Sequence, residues 1–473
     1  MSAVESLALR CIVPGFIGTK APDWVLRRAA AGLGGVALFA RNVDSPEQLK
    51  ALTASLHSER ASMLIAIDEE GGDVTRLEAR TGSSFPGNLA LGQAADSRLT
   101  ADVASAIGSE LSQAGIDLDL APVADVNSNP LNPVIGVRSF GADAVAVAGQ
   151  TAAWVTGLQR TGVAACAKHF PGHGDTAVDS HLALPVAGED PRLYALEPFK
   201  AAIAAGVRAI MSAHIVAPAI DDLPSTISRK VMTGLLRDEL GFDGLALSDA
   251  LEMRGLSRER GVQDSAVLAL VAGCDALCIG GELAGESVVD DIVAAIAGAV
   301  RTGRLSEERL EQAAGRVDAL AAWRATHHDA VAPPAGIGLT AARRAVRFDG
   351  PIRVSGQAVV VRFASAPSIA AGEVPWGMAE SLSARGVQVE TREAGAGDDL
   401  PVPTDASLVL VVRDLHRRPE QVTQVDQLLA RHPDAVVVEM GLPACRPRGA
   451  NAYVATYGSA RVCAQAAAEV LRP

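Results

Sequence analysis

The segment Lys168–His181, which reads KHFPGHGDTAVDSH, is the densest group of reactive side chains in the chain. It contains three of the nine histidines in the sequence, and these are His169, His173 and His181. Two chemistries could use such a group. Histidine and aspartate at short spacing resemble a divalent-metal site. The alternative is acid–base work, because Asp179 stands two residues before His181 and could orient its ring and stabilise its protonated form.

A second carboxylate, Asp249, follows another short apolar run farther along the chain. A glycosidase needs such a pair, since one group protonates the leaving oxygen and the other stabilises or captures the oxocarbenium-like centre. If Asp249 captures it, the two groups should lie about 5–5.5 Å apart and the anomeric configuration should be retained. His181 suits the acid–base role because the unperturbed pKa of histidine is about 6.5.

Short apolar runs alternate with longer helix-like segments through the first two thirds of the chain. The fold that this alternation encodes must bring His181 and Asp249 together. The predicted strands are Cys11–Phe16, Val36–Ala40, Met63–Ile67, Ile116–Leu120, Val163–Ala167, Val207–Ser212, Gly244–Leu247 and Ala276–Ile279. Eight strand–helix units predict a (β/α)8 TIM barrel, whose active residues collect at the carboxyl ends of the strands. A doubly wound sheet fits less well, because no glycine-rich loop follows the first strand.

The composition changes after the eighth unit. The sequence predicts a catalytic barrel over residues 1–328, a linker over 329–350 and a smaller three-layer α/β domain over 351–473. The last part shows five further strand-like runs with helical segments between them.

The charge and composition exclude several function classes. Aromatic residues are 3% of the 473 residues and the formal net charge is −13, which argue against nucleic-acid and anionic-membrane partners. The N-terminus has no apolar stretch of the signal-peptide type, so a cytoplasmic location is expected. The six cysteines are scattered and form no CxxC motif, which indicates reduced buried thiols.

These motifs resemble those of glycoside hydrolase family 3, in particular its β-N-acetylglucosaminidase branch with an Asp–His dyad. The resemblance rests on KHFPGHGDTAVDSH, IDEEGGDVTRLE at 67–78, VRSFG at 137–141 and LSDALEM at 247–253, in this order. The resemblance covers nearly the whole predicted barrel. The second domain contains no recognisable catalytic motif.

The resemblance implies a role for each matching position. His181 would be the general acid/base held by Asp179, and Asp249 would be the nucleophile that forms the glycosyl-enzyme. The expected sugar-binding residues are Asp68, Arg76, Arg138, Lys168 and His169. Asp73 stands where members that recycle cell-wall fragments usually carry arginine, which argues against a muropeptide substrate.

The implied function is a retaining exo-β-N-acetylglucosaminidase that releases terminal GlcNAc from short soluble glycans, derived from chitin or the cell wall, without metal or cofactor. One alternative keeps the site but uses phosphate as acceptor, since a neutral imidazole would not repel it. A second alternative is a metal-dependent amidohydrolase with His169, His173 and His181 as ligands, and a third is a non-catalytic sugar-binding barrel. The expected partner is a small carbohydrate, and the sequence leaves the oligomeric state and the aglycone open.

Overall fold

The first two thirds of the chain form a barrel of parallel strands. The computed structural model describes residues 1–180, 183–257, 260–280, 285–327, 334–365, 369–394 and 406–473. Ten strands precede residue 280: β1 Ile12–Pro14, β2 Gly35–Leu38, β3 Leu64–Ile67, β4 Leu118–Asp119, β5 Ala164–Phe170, β6 Ala209–Ser212, β7 Val216–Ala217, β8 Asp221–Pro224, β9 Leu245–Ser248 and β10 Leu277–Ile279. All but β7 and β8, an antiparallel pair outside the barrel, correspond to the eight predicted strands.

The hydrogen bonding runs in parallel around the barrel. A six-stranded sheet has the order β2-β3-β4-β5-β6-β9, and β10 pairs in parallel with β1. A parallel bridge between Leu247 and Ala276 connects β9 to β10. Just before β2, the amide of Gly34 donates to the carbonyl of Leu9, near the end of helix α1, at 3.2 Å. This α/β barrel confirms the predicted fold class.

The alternation of side chains along the strands separates two apolar layers, as it must in a barrel. Inside the barrel, Leu64 and Ala66 of β3 pack with residues such as Leu118, Ala164 and Leu245. Ile65 and Ile67 of the same strand face outward into the larger layer beneath the helices.

Helices surround the barrel and close its lower end. They are α1 Ala3–Arg10, α2 Asp23–Ala30, α3 Pro46–Glu59, α4 Asn88–Ala94, α5 Ser97–Gln113, α6 Ala144–Gln159, α7 Glu197–Ala204, α8 Arg254–Ser257, α9 Val262–Ala272, α10 Glu286–Arg301 and α11 Glu307–Thr326, with a π-helix at Lys230–Glu239. Val317 and Leu320 of α11 pack into the inner layer, so this helix plugs the end opposite the loops that carry the polar residues.

The rest of the chain builds a second sheet, here called the C-terminal sheet. Its strands are β11 Arg347–Asp349, β12 Gln357–Phe363, β13 Gln388–Ala394, β14 Ser407–Val412, β15 Val436–Glu439 and β16 Ala452–Ala455, and they lie in the order β11-β16-β15-β14-β12-β13. Helices α13 Ala379–Ser383 and α15 Arg461–Leu471 cover one face, and α14 Pro419–Arg431 covers the other. This is the three-layer arrangement that the sequence predicts.

Helix α12, Ile337–Ala345, lies within the predicted linker 329–350 and packs on both parts of the molecule. Its Ile337 and Ala341 belong to the outer apolar layer of the barrel, whereas Ala342 packs against Val462 and Cys463 of α15. Strand β11 follows within the same predicted linker and pairs antiparallel with β16. Residues 328–333 lie outside the described residues.

None of the described helices combines the length and the low polarity that crossing a membrane requires. All six cysteines are free thiols and five of them are buried, as their scattered positions indicate.

Candidate active site

A cavity of about 450 Å³ opens at the carboxyl ends of the barrel strands. We call it the barrel cavity. Six of the eight predicted site residues line it, and these are Asp68, Arg76, Arg138, Lys168, His169 and Asp249. They come from loops and strand ends far apart in sequence, which the parallel barrel brings to one rim.

Lys168 lies at the centre of a buried ion network on the cavity floor. Its Nζ donates to Oδ1 of Asp68 at 2.6 Å and contacts Oε1 of Glu70 at 2.8 Å. Arg138 donates to both oxygens of Glu70, from Nε at 2.9 Å and from Nη2 at 2.7 Å. Arg76 lies 3.6 Å from Asp68. Two-pronged pairs of this kind fix the direction of each side chain.

The network keeps its members charged. Burial alone would raise the pKa of Asp68 and Glu70, but the neighbouring cations outweigh it and hold both pKa values below the usual range. Burial alone would lower the pKa of Lys168, and the carboxylates of Asp68 and Glu70 raise it instead. The cavity therefore presents fixed cations that can donate to the hydroxyl groups of a small polar ligand, and fixed anions that can accept from them.

A register shift in β5 places two consecutive side chains at the cavity. Lys168 pairs with Met211 of β6, but the next pair joins Phe170 to Ser212, so His169 is an extra residue in the ladder. A regular strand would send neighbouring side chains to opposite faces, whereas a bulge redirects one of them. The His169 Nδ1 lies 2.8 Å from Oδ2 of the fully buried Asp125, which fixes the ring.

The loop after β5 is organised around His173, which the sequence analysis names only as a ligand in the amidohydrolase alternative. Its Nδ1 lies 2.6 Å from Oγ1 of Thr176, and its Nε2 lies 3.2 Å from Oγ of Ser180. Burial lowers the pKa of His173 to about 4, so the ring is neutral near pH 7. His173 therefore shapes the loop that leads to the predicted acid/base.

The two predicted dyad residues are placed differently. Asp179 is partly buried and lines a second cavity beside the first. His181 lies outside the described residues, and so does Leu182. The neighbouring Ser180 lines the barrel cavity itself, so the described chain approaches the cavity immediately before His181.

Asp249 follows directly after β9, and its loop is anchored from β6. The Asp249 carboxylate accepts the Ala250 amide at 2.7 Å. His214, fully buried, places Nε2 2.9 Å from the Ala250 carbonyl and Nδ1 2.8 Å from Oγ1 of Thr226. His214 thus connects the ends of two neighbouring strands at the position of the predicted nucleophile.

Comparison with known proteins agrees with this geometry. The model of the glycosyl hydrolase family 3 N-terminal domain matches residues 21–320, more than half of the chain. The chain belongs to glycosyl hydrolase family 3. This confirms the family that the motifs indicate.

Several relatives of this family 3 chain carry informative names. Beta-hexosaminidase A of Pseudoalteromonas piscicida is 37% identical over 313 residues, which cover 60% of this chain and 52% of that protein, so the match spans about half of that relative. Beta-hexosaminidase of Methylobacillus flagellatus is 39% identical over 281 residues, 57% of this chain and 80% of the relative. A solved family 3 β-N-acetylglucosaminidase from Paenibacillus sp. str. FPU-7 superposes with a TM-score of 0.88 and 33% identity, covering 100% of this chain and 97% of that one.

The family 3 site contains residues that the sequence analysis did not select. Glu70 holds both Lys168 and Arg138, yet the motif comparison gives it no role. Arg41 and Glu252 also line the barrel cavity. Arg41 directly follows the predicted strand Val36–Ala40, and a charged residue immediately after a predicted buried strand is a signal that could have identified it.

Asp73 does not line the barrel cavity of this family 3 chain. Its Oδ2 accepts from Nη2 of Arg413 at 2.6 Å, and its Oδ1 accepts from the amide and the hydroxyl of Ser459 at 2.9 and 2.7 Å. The carboxylate at this position therefore joins the barrel to the C-terminal sheet. The segment between β12 and α13 also reaches Arg76, whose Nη2 donates to the Ala370 carbonyl at 2.8 Å.

Metal ligation was the alternative reading of the histidine cluster. Within the residues that the structure describes, no group of three His, Cys, Asp or Glu side chains could hold a metal ion. His169 and His173 are engaged with Asp125, Thr176 and Ser180, and His181, the third ligand of that alternative, lies outside the described residues.

Proposed function

We propose that this family 3 chain is a retaining exo-β-N-acetylglucosaminidase that removes terminal β-linked GlcNAc from short glycans. The observation that carries the proposal is that Asp249 and all five expected sugar-binding residues line one cavity, whose volume of about 450 Å³ is in the range of small-molecule sites. The names of the hexosaminidase relatives and of the Paenibacillus enzyme support the same activity.

In the proposed mechanism Asp249 attacks the anomeric carbon and forms a glycosyl-enzyme. His181, oriented by Asp179, gives its proton to the leaving oxygen and then removes a proton from the incoming water. Position supports the role of Asp249, because its carboxylate stands at the strand end where barrel enzymes carry reacting groups. The roles of His181 and Asp179 rest on the family motif.

Substrate recognition would come from the charged floor of the barrel cavity. Asp68 can accept from a sugar hydroxyl, while Lys168 and Arg138 can donate to the sugar oxygens. Since Glu70 holds both cations, the donors are positioned before the sugar arrives, and less binding energy is spent on ordering them. Few aromatic residues are available for stacking, so polar contacts would dominate.

The direct test is turnover of a chromogenic β-N-acetylglucosaminide by Asp249→Asn. The expected result is a loss of about 1,000-fold or more in kcat, because the variant cannot form the glycosyl-enzyme. Asp243→Asn is the matched control, since this exposed carboxylate precedes the same strand at its other end. Undiminished turnover by Asp249→Asn would contradict the proposal.

The phosphate alternative uses the same residues and differs only in the acceptor. Product analysis in phosphate and in phosphate-free buffer separates the two. Free GlcNAc in both buffers is the result expected for a hydrolase. Accumulation of GlcNAc-1-phosphate at high phosphate concentration would show that the reaction is phosphorolysis and not hydrolysis.

A further inference from the structure

A second cavity of about 450 Å³ lies between the barrel loops and the C-terminal sheet. We call it the outer cavity. It shares wall residues with the barrel cavity, and these are Val74, Val134, Ile135, Arg138 and Ile369. The two cavities are therefore adjacent compartments of one cleft.

The proposed chemistry gives this cleft a direction. A terminal GlcNAc would occupy the barrel cavity above Lys168. Asp179, the proposed partner of the acid/base, lines the outer cavity. Because the general acid must stand beside the leaving oxygen, the leaving group would extend toward the outer cavity. This step rests on the proposed function.

Three arginines between β14 and α14 line the outer cavity: Arg413, Arg417 and Arg418. Arg413 is neutralised by Asp73 at 2.6 Å. Arg418 donates from Nη2 to Oγ of Ser365 at 3.2 Å, and its buried Nε has no hydrogen-bond partner among the described residues. Arg417 is exposed.

Four carboxylates of the described residues also line the outer cavity, and these are Asp73, Asp179, Asp414 and Glu420. Asp73 is bonded to Arg413 and Ser459. Asp414 accepts the Leu442 amide at 2.8 Å, within the C-terminal sheet. Glu420 is exposed in the first turn of α14 and opposes the arginines in part. The arrangement leaves Arg417 and Arg418 as cations without a carboxylate partner among the described residues.

We infer that the outer cavity is a leaving-group subsite that selects an anionic group, a carboxylate or a phosphate, through Arg417 and Arg418. Guanidinium groups recognise both anions through paired N–H donors. A buried Nε–H gains from an acceptor that the protein does not provide. The C-terminal sheet would thus determine which glycan is cleaved, while the barrel determines which sugar is released.

The test compares disaccharide substrates whose leaving groups depart through the same glycosidic oxygen. N,N'-diacetylchitobiose is neutral, and its aldonic acid carries a carboxylate at C1 of the reducing residue. A disaccharide phosphorylated on O6 of that residue distinguishes phosphate from carboxylate recognition. The expected kcat/KM of the full-length protein is about tenfold higher for at least one anionic substrate, as one charge-assisted hydrogen bond would give.

The double variant Arg417→Gln/Arg418→Gln should abolish that preference and leave the rate on neutral chitobiose within about twofold. Arg353→Ala is the control, because Arg353 is exposed and lies outside the residues that line either cavity. Equal rates on all three substrates, or a preference that survives in the double variant, would overturn the inference alone. Failure to release GlcNAc from any of them would overturn the proposed function and the inference together.

Discussion

Replacing Glu70 by glutamine removes the negative charge that holds Lys168 and Arg138 on the floor of the barrel cavity. The side chains of Glu70 and Lys168 are 3% and 2% exposed, so solvent cannot replace the lost charge. Three cations and two carboxylates form the network, and the variant raises its net charge from +1 to +2. Removing one partner of a buried pair costs about 3–5 kcal/mol.

We expect a value near the lower end, about 3 kcal/mol, because glutamine still offers one acceptor and Asp68 still compensates Lys168. At about 2.1 cal/mol/K of unfolding entropy per residue, a barrel of roughly 325 residues would lose about 4 °C in Tm. The value of kcat/KM for a β-N-acetylglucosaminide should also fall at least about tenfold, because misplaced donors hold the sugar poorly.

Thermal unfolding and steady-state kinetics measure both effects. Glu59→Gln is the matched control, since Glu59 is exposed, and it should change stability by less than about 0.5 kcal/mol. Adding Arg138→Met to Glu70→Gln should recover part of the lost stability by removing the unpaired cation. A Glu70→Gln protein with unchanged Tm and unchanged kinetics would refute the reasoning that the network is buried, charged and required.

Three further perturbations follow from single contacts. Asp73→Asn should lower the free energy of unfolding by about 1–3 kcal/mol, because it leaves the largely buried Arg413 uncompensated. The double variant Asp73→Asn/Arg413→Met should lose less stability, and urea unfolding compares the two. Burial lowers the pKa of His173 from 6.5 to about 4, so between these pH values the unfolded chain binds more protons than the folded one. The free energy of unfolding should therefore fall by about 3 kcal/mol as the pH drops from 6.5 to 4. His173→Gln should flatten this decline when unfolding is measured across that pH range. His214→Ala should lower kcat about tenfold with little change in KM, because it frees the Ala250 carbonyl beside Asp249. Chromogenic assays measure both constants. A rise of about tenfold in KM with unchanged kcat would argue against a positioning role.

The barrel could be predicted from the sequence because its signals are local. Each buried strand is a short apolar run, and each polar residue that follows such a run lies at the same rim. Asp68, Lys168 and Asp249 are therefore found at the cavity without any knowledge of their partners. The C-terminal sheet follows from the same periodicity, with β11 as an additional edge strand.

The contacts that sequence reasoning missed join residues far apart in the chain. Asp73 and Arg413 are separated by 340 positions, and no local pattern relates them. The role of Glu70 depends on Arg138 from the loop after β4 and on Lys168 from strand β5. The position of helix α12 between the barrel and the helix α15 that covers the C-terminal sheet appears only in the packing of Ala341 and Ala342.

The central claim is that the barrel cavity carries out retaining release of terminal β-GlcNAc through Asp249. Proton NMR of the sugar first released from N,N'-diacetylchitobiose in phosphate-free buffer tests it most directly, since the spectrum reports the anomer before mutarotation. The account predicts β-GlcNAc as the initial product, because two displacements at the anomeric carbon restore its configuration. Initial α-GlcNAc would contradict it, since that product requires a single displacement without a glycosyl-enzyme.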